Sequence, residues 1–266
     1  MNAKIRGLVR EAVISLINQT AADENREALN ERHVNKIHFI PIRYRILGGM
    51  LQSLNIKFGN YIEILIHLIV QNEPNLEIIS EISGKKSVKL TISNETDSII
   101  DRYITESQSV GEDKLDERFR ILLDDIIKSE KAAGPGVGKT HDVDVLFRNK
   151  KNGRLYYLEV KYNDDHDTGK FMDINRKFIK TYAGIVNKLK ITSREELHPI
   201  LYYLNDKKKI GNIYIPEATN IYRGPKLFKE FFSINYDALD KYLREIGEDP
   251  EILKIFDEVY KKIRYQ

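Results

Sequence analysis

The feature that most constrains this chain is a pair of apolar-rich, strand-length segments, 142–147 and 155–161. They flank the turn Asn149-Lys150-Lys151-Asn152-Gly153. Such segments either side of an Asn/Gly turn predict an antiparallel hairpin. Residues two apart on a strand face the same side. Asp142 and Asp144 therefore share a face, as do Glu159 and Lys161 on the neighbouring strand, while Val143, Val145, Leu158 and Val160 turn the other way. Carboxylates and an ammonium thus project into one small volume, where burial is costly unless the charges pair or bind a metal.

The flanking chain reads mostly as helix. Ile5, Leu8, Val9, Ala12 and Leu16 recur at helical spacing over 3–18, and 21–35 reads as a polar loop or a frayed helix. A basic segment, Arg43-Tyr44-Arg45, is closed by Gly48-Gly49, and 58–71 forms an apolar helix carrying Glu63. A short strand is expected at 88–92 after the Gly84-Lys85-Lys86 turn. An amphipathic helix at 114–133 is marked by Leu115, Phe119, Leu122 and Ile126. Gly134-Pro135-Gly136 ends it. Beyond the hairpin and a polar loop at 163–169, Ile174, Phe178, Ile185 and Leu189 mark a helix with a basic opposite face. The continuous apolar run 200–204 predicts a strand covered on both faces, and 213–215 a second strand stopping at Pro216. Helices near 237–246 and 250–264 finish the chain. The order hairpin, helix, strand, strand predicts an α/β fold with a mixed central sheet flanked by helices.

At 266 residues the chain is expected to form one domain with helical N- and C-terminal segments. The expected divisions are 1–54, 55–215 and 216–266. The absence of cysteine excludes disulfides and thiolate metal sites and fits a reducing cytoplasm. The N-terminus shows no long apolar segment of a secretory leader, and 61–70 is too short to span a bilayer. The formal net charge of +3 is less informative than its distribution. Residues 32–62 carry no acid, 170–190 are strongly basic, and Lys207, Lys208, Lys209, Arg223, Lys226 and Lys229 form a third basic group. Acidic residues gather between Glu95 and Glu130. This segregation suits one cationic face for a polyanion, and equally suits ordinary solvated surfaces.

An Asp strand followed by Glu-x-Lys supplies what phosphodiester hydrolysis requires. Carboxylates hold Mg²⁺, and a nearby lysine orients or deprotonates water or stabilises the transition state. Alone, Glu-x-Lys is a commonplace of exposed strands, and the preceding Asp-x-Asp strand across a Gly turn gives it weight.

On His141-Asp142-Val143-Asp144-Val145-Leu146-Phe147 and Tyr157-Leu158-Glu159-Val160-Lys161, the chain resembles the PD-(D/E)XK nuclease superfamily over roughly 55–215. It departs from the motif in having Val143 where proline is common, which leaves Asp144 and Asp142 both open as the main acidic ligand. The resemblance implies a restriction-endonuclease-like core and one or two Mg²⁺ per site. Asp144, Glu159 and Asp142 would be metal ligands and Lys161 catalytic. Many members place a helical glutamate near the metals, for which Glu63 is the candidate; an edge-of-core glutamate is the alternative.

From His38-Phe39-Ile40-Pro41 through Gly48-Gly49 to Asn55-Ile56-Lys57-Phe58-Gly59-Asn60, the chain resembles the TdeIII/HinfI-like group of type II restriction endonucleases. That implies double-strand cleavage at a short palindrome with an unspecified central base, such as GANTC or GGNCC. It also implies a homodimer on double-stranded DNA and a cognate DNA methyltransferase as genetic partner. Base-reading candidates are Asn163, Asp164, Asp165, Lys170, Arg223 and Lys226, and phosphate contacts are assigned to Lys139, Lys177 and Lys180.

Residues 133–140 fit a relaxed phosphate-binding loop, with alanine for the first glycine. A helix precedes it and a strand follows, the inverse of the context such loops require, so no nucleotide cofactor is expected. The six histidines have no paired metal-ligand spacing, although His141 and His166 lie near the candidate site. Two other readings stay open from residues alone: a repair or recombination nuclease, and a non-catalytic DNA-binding protein.

Overall fold

The structure, a computed structural model, describes residues 3–109, 111–132, 137–164, 168–208 and 211–264. Contacts divide the chain into two compact units, Ile62–Ser233, and Met1–Tyr61 with Ile234–Gln266. One helix, α3 (Ile42–Asn72), runs through the first of these boundaries. Nine α-helices are present among the described residues, and none is long and apolar enough to cross a membrane.

The Ile62–Ser233 unit is built on a five-stranded mixed sheet, ordered β1 (Leu76–Ile78), β4 (Val145–Asn149), β5 (Leu155–Lys161), β6 (Leu197–Tyr203), β7 (Ile221–Arg223). Strand β4 runs antiparallel to β1 and β5, whereas β5, β6 and β7 are parallel. The expected hairpin is therefore β4–β5, with Val145 opposite Leu158 and Phe147 opposite Tyr156. Gly153 closes its turn at φ 72°, a backbone region that favours glycine. Parallel pairing of β5 with β6 requires a crossover, supplied by α6 (Thr168–Leu189). Strand β5 is buried from Leu155 to Val160, as a central strand covered on both faces must be.

On one face, Leu146 and Tyr157 pack with α4 (Asn94–Ser107), α5 (Leu115–Ala132) and α6 in the main core. On the other, Phe147 and Tyr156 pack against Phe231 at the end of α7 (Pro225–Phe231). A separate ribbon, β2 (Gly84–Ile92) with β3 (Val137–Val143), packs on α6. The approach requires Gly184, where an added Cβ would lie 2.7 Å from that of Leu90.

The second unit contains α1 (Ala3–Ala21), α2 (Asp23–Val34), the first part of α3, α8 (Tyr236–Gly247) and α9 (Pro250–Arg264). Ile46, Met50 and Ile263 form its small core. Arg10 of α1 pairs with Asp249 at 3.2 Å and with Glu251 at 2.6 Å.

Residues 23–34 are helical, the second of the two readings given to 21–35, although no residue of α2 is buried. Three expectations are corrected. Gly48-Gly49 does not close the basic segment but lies inside α3. An added Cβ at Gly49 would meet Leu29 at 2.9 Å, so a bare backbone lets α2 approach. Residues 213–215 are not a strand, because the Asn212 side chain accepts the Tyr214 and Ile215 amides at 2.8 and 2.9 Å. The last strand is instead Ile221–Arg223. Finally, 142–147 is not one strand: β3 ends at Val143 and β4 begins at Val145, with Asp144 between them.

Candidate active site

Continuing the hairpin register one residue beyond Val145–Leu158 sets Asp144 across from Glu159, at the carboxyl end of β5. Asp144 is 5% exposed and Glu159 is fully buried. The Val160 N–H donates to Asp144 Oδ2 at 2.8 Å and fixes that carboxylate against β5. The Lys161 ammonium lies 2.8 Å from Glu159 Oε1, 2.9 Å from the Val160 carbonyl oxygen and 3.6 Å from Asp144 Oδ2. Two oxygens from β5 and one from Asp144, at the break between β3 and β4, thus converge on one cationic point.

Around Glu159 the donors come from two elements. Tyr157, two residues earlier on the same strand face, donates its hydroxyl to Glu159 Oε2 at 2.8 Å. Helix α6 covers that face: Phe178 stacks on Tyr157 at 5.4 Å, Thr181 hydrogen-bonds it, and Lys177 donates to Glu159 Oε1 at 3.1 Å. Glu63 on α3 is half-buried and its charge acts on both Asp144 and Lys161. One turn along α3, His67 hydrogen-bonds the Asp144 main chain and lies 3.3 Å from Ser83 Oγ.

These surroundings split the two carboxyls. Burial, then the Glu159 charge, push the Asp144 carboxyl up to about 7, against the opposing pull of Lys161. Burial also acts to raise Glu159, but Lys161 and Lys177 together outweigh it and hold that carboxyl below its usual range. Burial acts against charge on Lys161, yet Glu159 and Asp144 win and hold its ammonium above the ordinary lysine range. Burial drives the Tyr157 phenol well above its usual range, so it stays a donor.

The structure brings Asp144, Glu159, Lys161 and Glu63 into one electrostatic cluster. Asp142, at the end of the ribbon, is exposed, unlike Asp144. Lys177, assigned from sequence to a DNA phosphate, sits on Glu159 instead. Lys180 is held by Asp97 and Asp101 of α4, the latter at 3.4 Å. Arg223 pairs with Asp164 at 2.9 Å and Glu217 at 3.0 Å, so two proposed base readers are engaged with each other. Lys226 donates to the Ala218 carbonyl and lies over the Tyr222 ring. Asn163 is half-buried and Lys170 exposed. Asp165, His166 and the helix stop at 134–136 lie outside the described residues. So do the side chains of Lys139 and His141, whose backbones are in β3.

Sequence reasoning missed Tyr157, Lys177 and His67 as members of the site. Strand periodicity carried the signal for Tyr157, which shares a face with Glu159. For the two helical residues only the fold supplies the proximity.

Among the described residues, no three acidic or histidine side chains are grouped to hold a metal ion. The available donors are two carboxylates and a main-chain carbonyl, already gathered around an ammonium. Hard oxygens in that arrangement fit a divalent cation such as Mg²⁺ or Ca²⁺ better than a soft metal.

A mixed sheet with this carboxylate pair and lysine at the end of its central hairpin defines a restriction-endonuclease-like nuclease core. The family described as "Type II restriction endonuclease, HinfI" matches residues 1–247. The type II restriction enzyme HinfI of Haemophilus influenzae is 46% identical over 263 residues, spanning 99% of this chain and 98% of that enzyme. No solved structure matches. The chain belongs to the HinfI family of type II restriction endonucleases, enzymes that need a divalent metal, and DNA is its substrate. That placement decides for restriction against the repair-nuclease and non-catalytic readings.

Proposed function

We propose that this chain cleaves both strands of DNA in a Mg²⁺-dependent reaction at a short interrupted palindrome of GANTC type. It acts as a homodimer whose twofold axis coincides with that of the DNA, and a cognate methyltransferase protects the host's own sites. The supporting observation is the convergence of Asp144, Glu159 and the Val160 carbonyl on the point where the Lys161 ammonium rests. Asp144 and Glu159 are the proposed metal ligands, with Glu63 adding negative charge beside them and Asp142 outside the set.

When bound, the cation supplies Lewis acidity toward the scissile phosphate. Everything else falls to the chain. Hydrolysis forms a P–O bond to water and breaks a bridging P–O bond, building negative charge on the phosphoryl oxygens. Lys161, held as an ammonium by its carboxylate neighbours in the metal-free protein, stabilises that charge by donation. Tyr157 fixes the Glu159 rotamer through Oε2, leaving Oε1 toward the cationic point. Lys170 follows β5 with its charge exposed and serves as a DNA contact, and Asn163, Asp165 and Lys139 are further candidates. Arg223 and Lys226 read DNA only after giving up the partners they hold here.

Plasmid digestion with Mg²⁺ followed by fragment-end sequencing tests this reading. The expected result is discrete double-strand cuts sharing one interrupted palindrome. Ends scattered without a common sequence, or nicks alone, would sink it. Lys161→Ala is expected to abolish cleavage while Ca²⁺-supported DNA binding persists, and unchanged cleavage would remove Lys161 from the mechanism.

A further inference from the structure

Glu159 Oε1 receives two ammonium groups, Lys161 at 2.8 Å from its own strand and Lys177 at 3.1 Å from α6. One would suffice to neutralise the carboxylate, and the two repel each other. They are not equivalent in setting. Lys161 also meets the Val160 carbonyl and Asp144, and its side chain is 20% exposed. The Lys177 side chain is 43% exposed and extends from a helix whose next turn carries the buried Thr181. Lys180, three residues on, is held by Asp97 and Asp101. Lys177, unlike Lys180, thus has its hold on the candidate metal ligand.

We propose that Lys177 is a charge latch: in the DNA-free enzyme its ammonium competes with the divalent cation for Glu159, and in the DNA-bound enzyme it moves to a substrate phosphate. This rests on the reading of Glu159 as a metal ligand. A cation arriving at Oε1 must displace or repel the ammonium already there. A lysine side chain freed from Glu159 keeps its charge and has solvent on one side, where an anionic backbone approaches. The latch keeps metal affinity low until DNA offers Lys177 another anion, which makes metal and DNA binding mutually reinforcing.

Calorimetric titration of the full-length protein with CaCl₂, with and without a DNA duplex bearing its cleavage site, tests the latch in Lys177→Ala, Lys177→Gln and Lys177→Arg. Ala and Gln are expected to tighten Ca²⁺ binding of the DNA-free protein roughly tenfold. On DNA, where the parent's Lys177 has already left Glu159, that gain should nearly vanish. In Mg²⁺ the same two variants should cleave about a hundredfold more slowly in single turnover, because a phosphate contact is gone. Lys177→Arg should restore both properties most of the way. A lysine that only braces the fold predicts weaker Ca²⁺ binding, and a distant repulsive charge predicts equal tightening with and without DNA. Either result, or unchanged affinity, overturns the latch. Glu159→Gln separates the two levels: if it still binds Ca²⁺ like the parent, the metal-ligand reading has failed, whereas its loss of binding alongside an unaffected Lys177→Ala refutes the latch alone.

Discussion

The two units use charge in opposite ways. In the helical unit, Arg10, Asp249 and Glu251 meet at the surface, where water and salt screen each pair and leave little net stabilisation. In the sheet unit, Asp144 and Glu159 are buried against two lysines at a strand end, where desolvation costs several kcal/mol per ion and only close geometry offsets it. Folding alone does not call for the second arrangement, since apolar residues of similar volume would fill the space at lower cost. Under the proposed function, this is the place where charge serves chemistry and not cohesion.

Breaking the contrast at its strongest point gives the largest effect. Glu159→Gln should lower cleavage by at least about a thousandfold, measured by single-turnover cutting, with the helical unit's ion pairs untouched. Next comes pH. The raised Asp144 carboxyl must lose its proton to serve as a ligand, so Mg²⁺-supported cleavage should climb as pH rises toward about 7 and flatten above it. A profile already flat from pH 5 would contradict the assignment.

The same group has an opposite signature in stability. Because the folded chain keeps this proton to higher pH than the unfolded chain, its contribution is full below 3.8 and declines as pH rises toward about 7. Asp144→Asn should therefore abolish cleavage yet raise the melting temperature of the metal-free protein at neutral pH by roughly 3 °C or more. A lower melting temperature would mean that the carboxylate is a net stabiliser. The smallest effect is expected from Arg10→Ala, which should leave cleavage unchanged and shift melting marginally. A large cleavage loss there would erase the division between the units.

What was legible in the sequence follows the same physics. The β4–β5 hairpin, α5 and α6 were readable because one or both faces are buried, so apolar spacing records the geometry. The shared faces of Asp142 with Asp144 and of Glu159 with Lys161 followed from strand periodicity, while the register that sets Asp144 across from Glu159 came from the fold. Helix α2 was ambiguous because it buries no residue fully, and a helix with so few apolar residues leaves no clear periodic trace. Gly48-Gly49 read as punctuation, although the missing Cβ at Gly49 serves packing against Leu29. Residues 213–215 had strand-like composition, but the Asn212 side chain had already claimed two of their amides. Lys177 was identified as a basic residue of α6, but its contact with Glu159 depends on where a crossover helix settles on the sheet.

The break at Asp144 carries a consequence for how such chains tolerate insertions and deletions. Val143 registers with Gly84 in the ribbon, and Val145 with Leu158 in the main sheet. The ribbon already absorbs a register irregularity between Gly84 and Val88. Length variation on that side can be taken up before it reaches the carboxylate. Within the paired stretches 145–148 and 155–160 there is no such slack: an added residue would turn Asp144 to the opposite face and separate it from the amide that now holds it. Relatives should therefore differ in length in the ribbon, or at the tip of the 149–153 turn with its flanking register kept, while the spacing that sets Asp144 across from Glu159 is preserved.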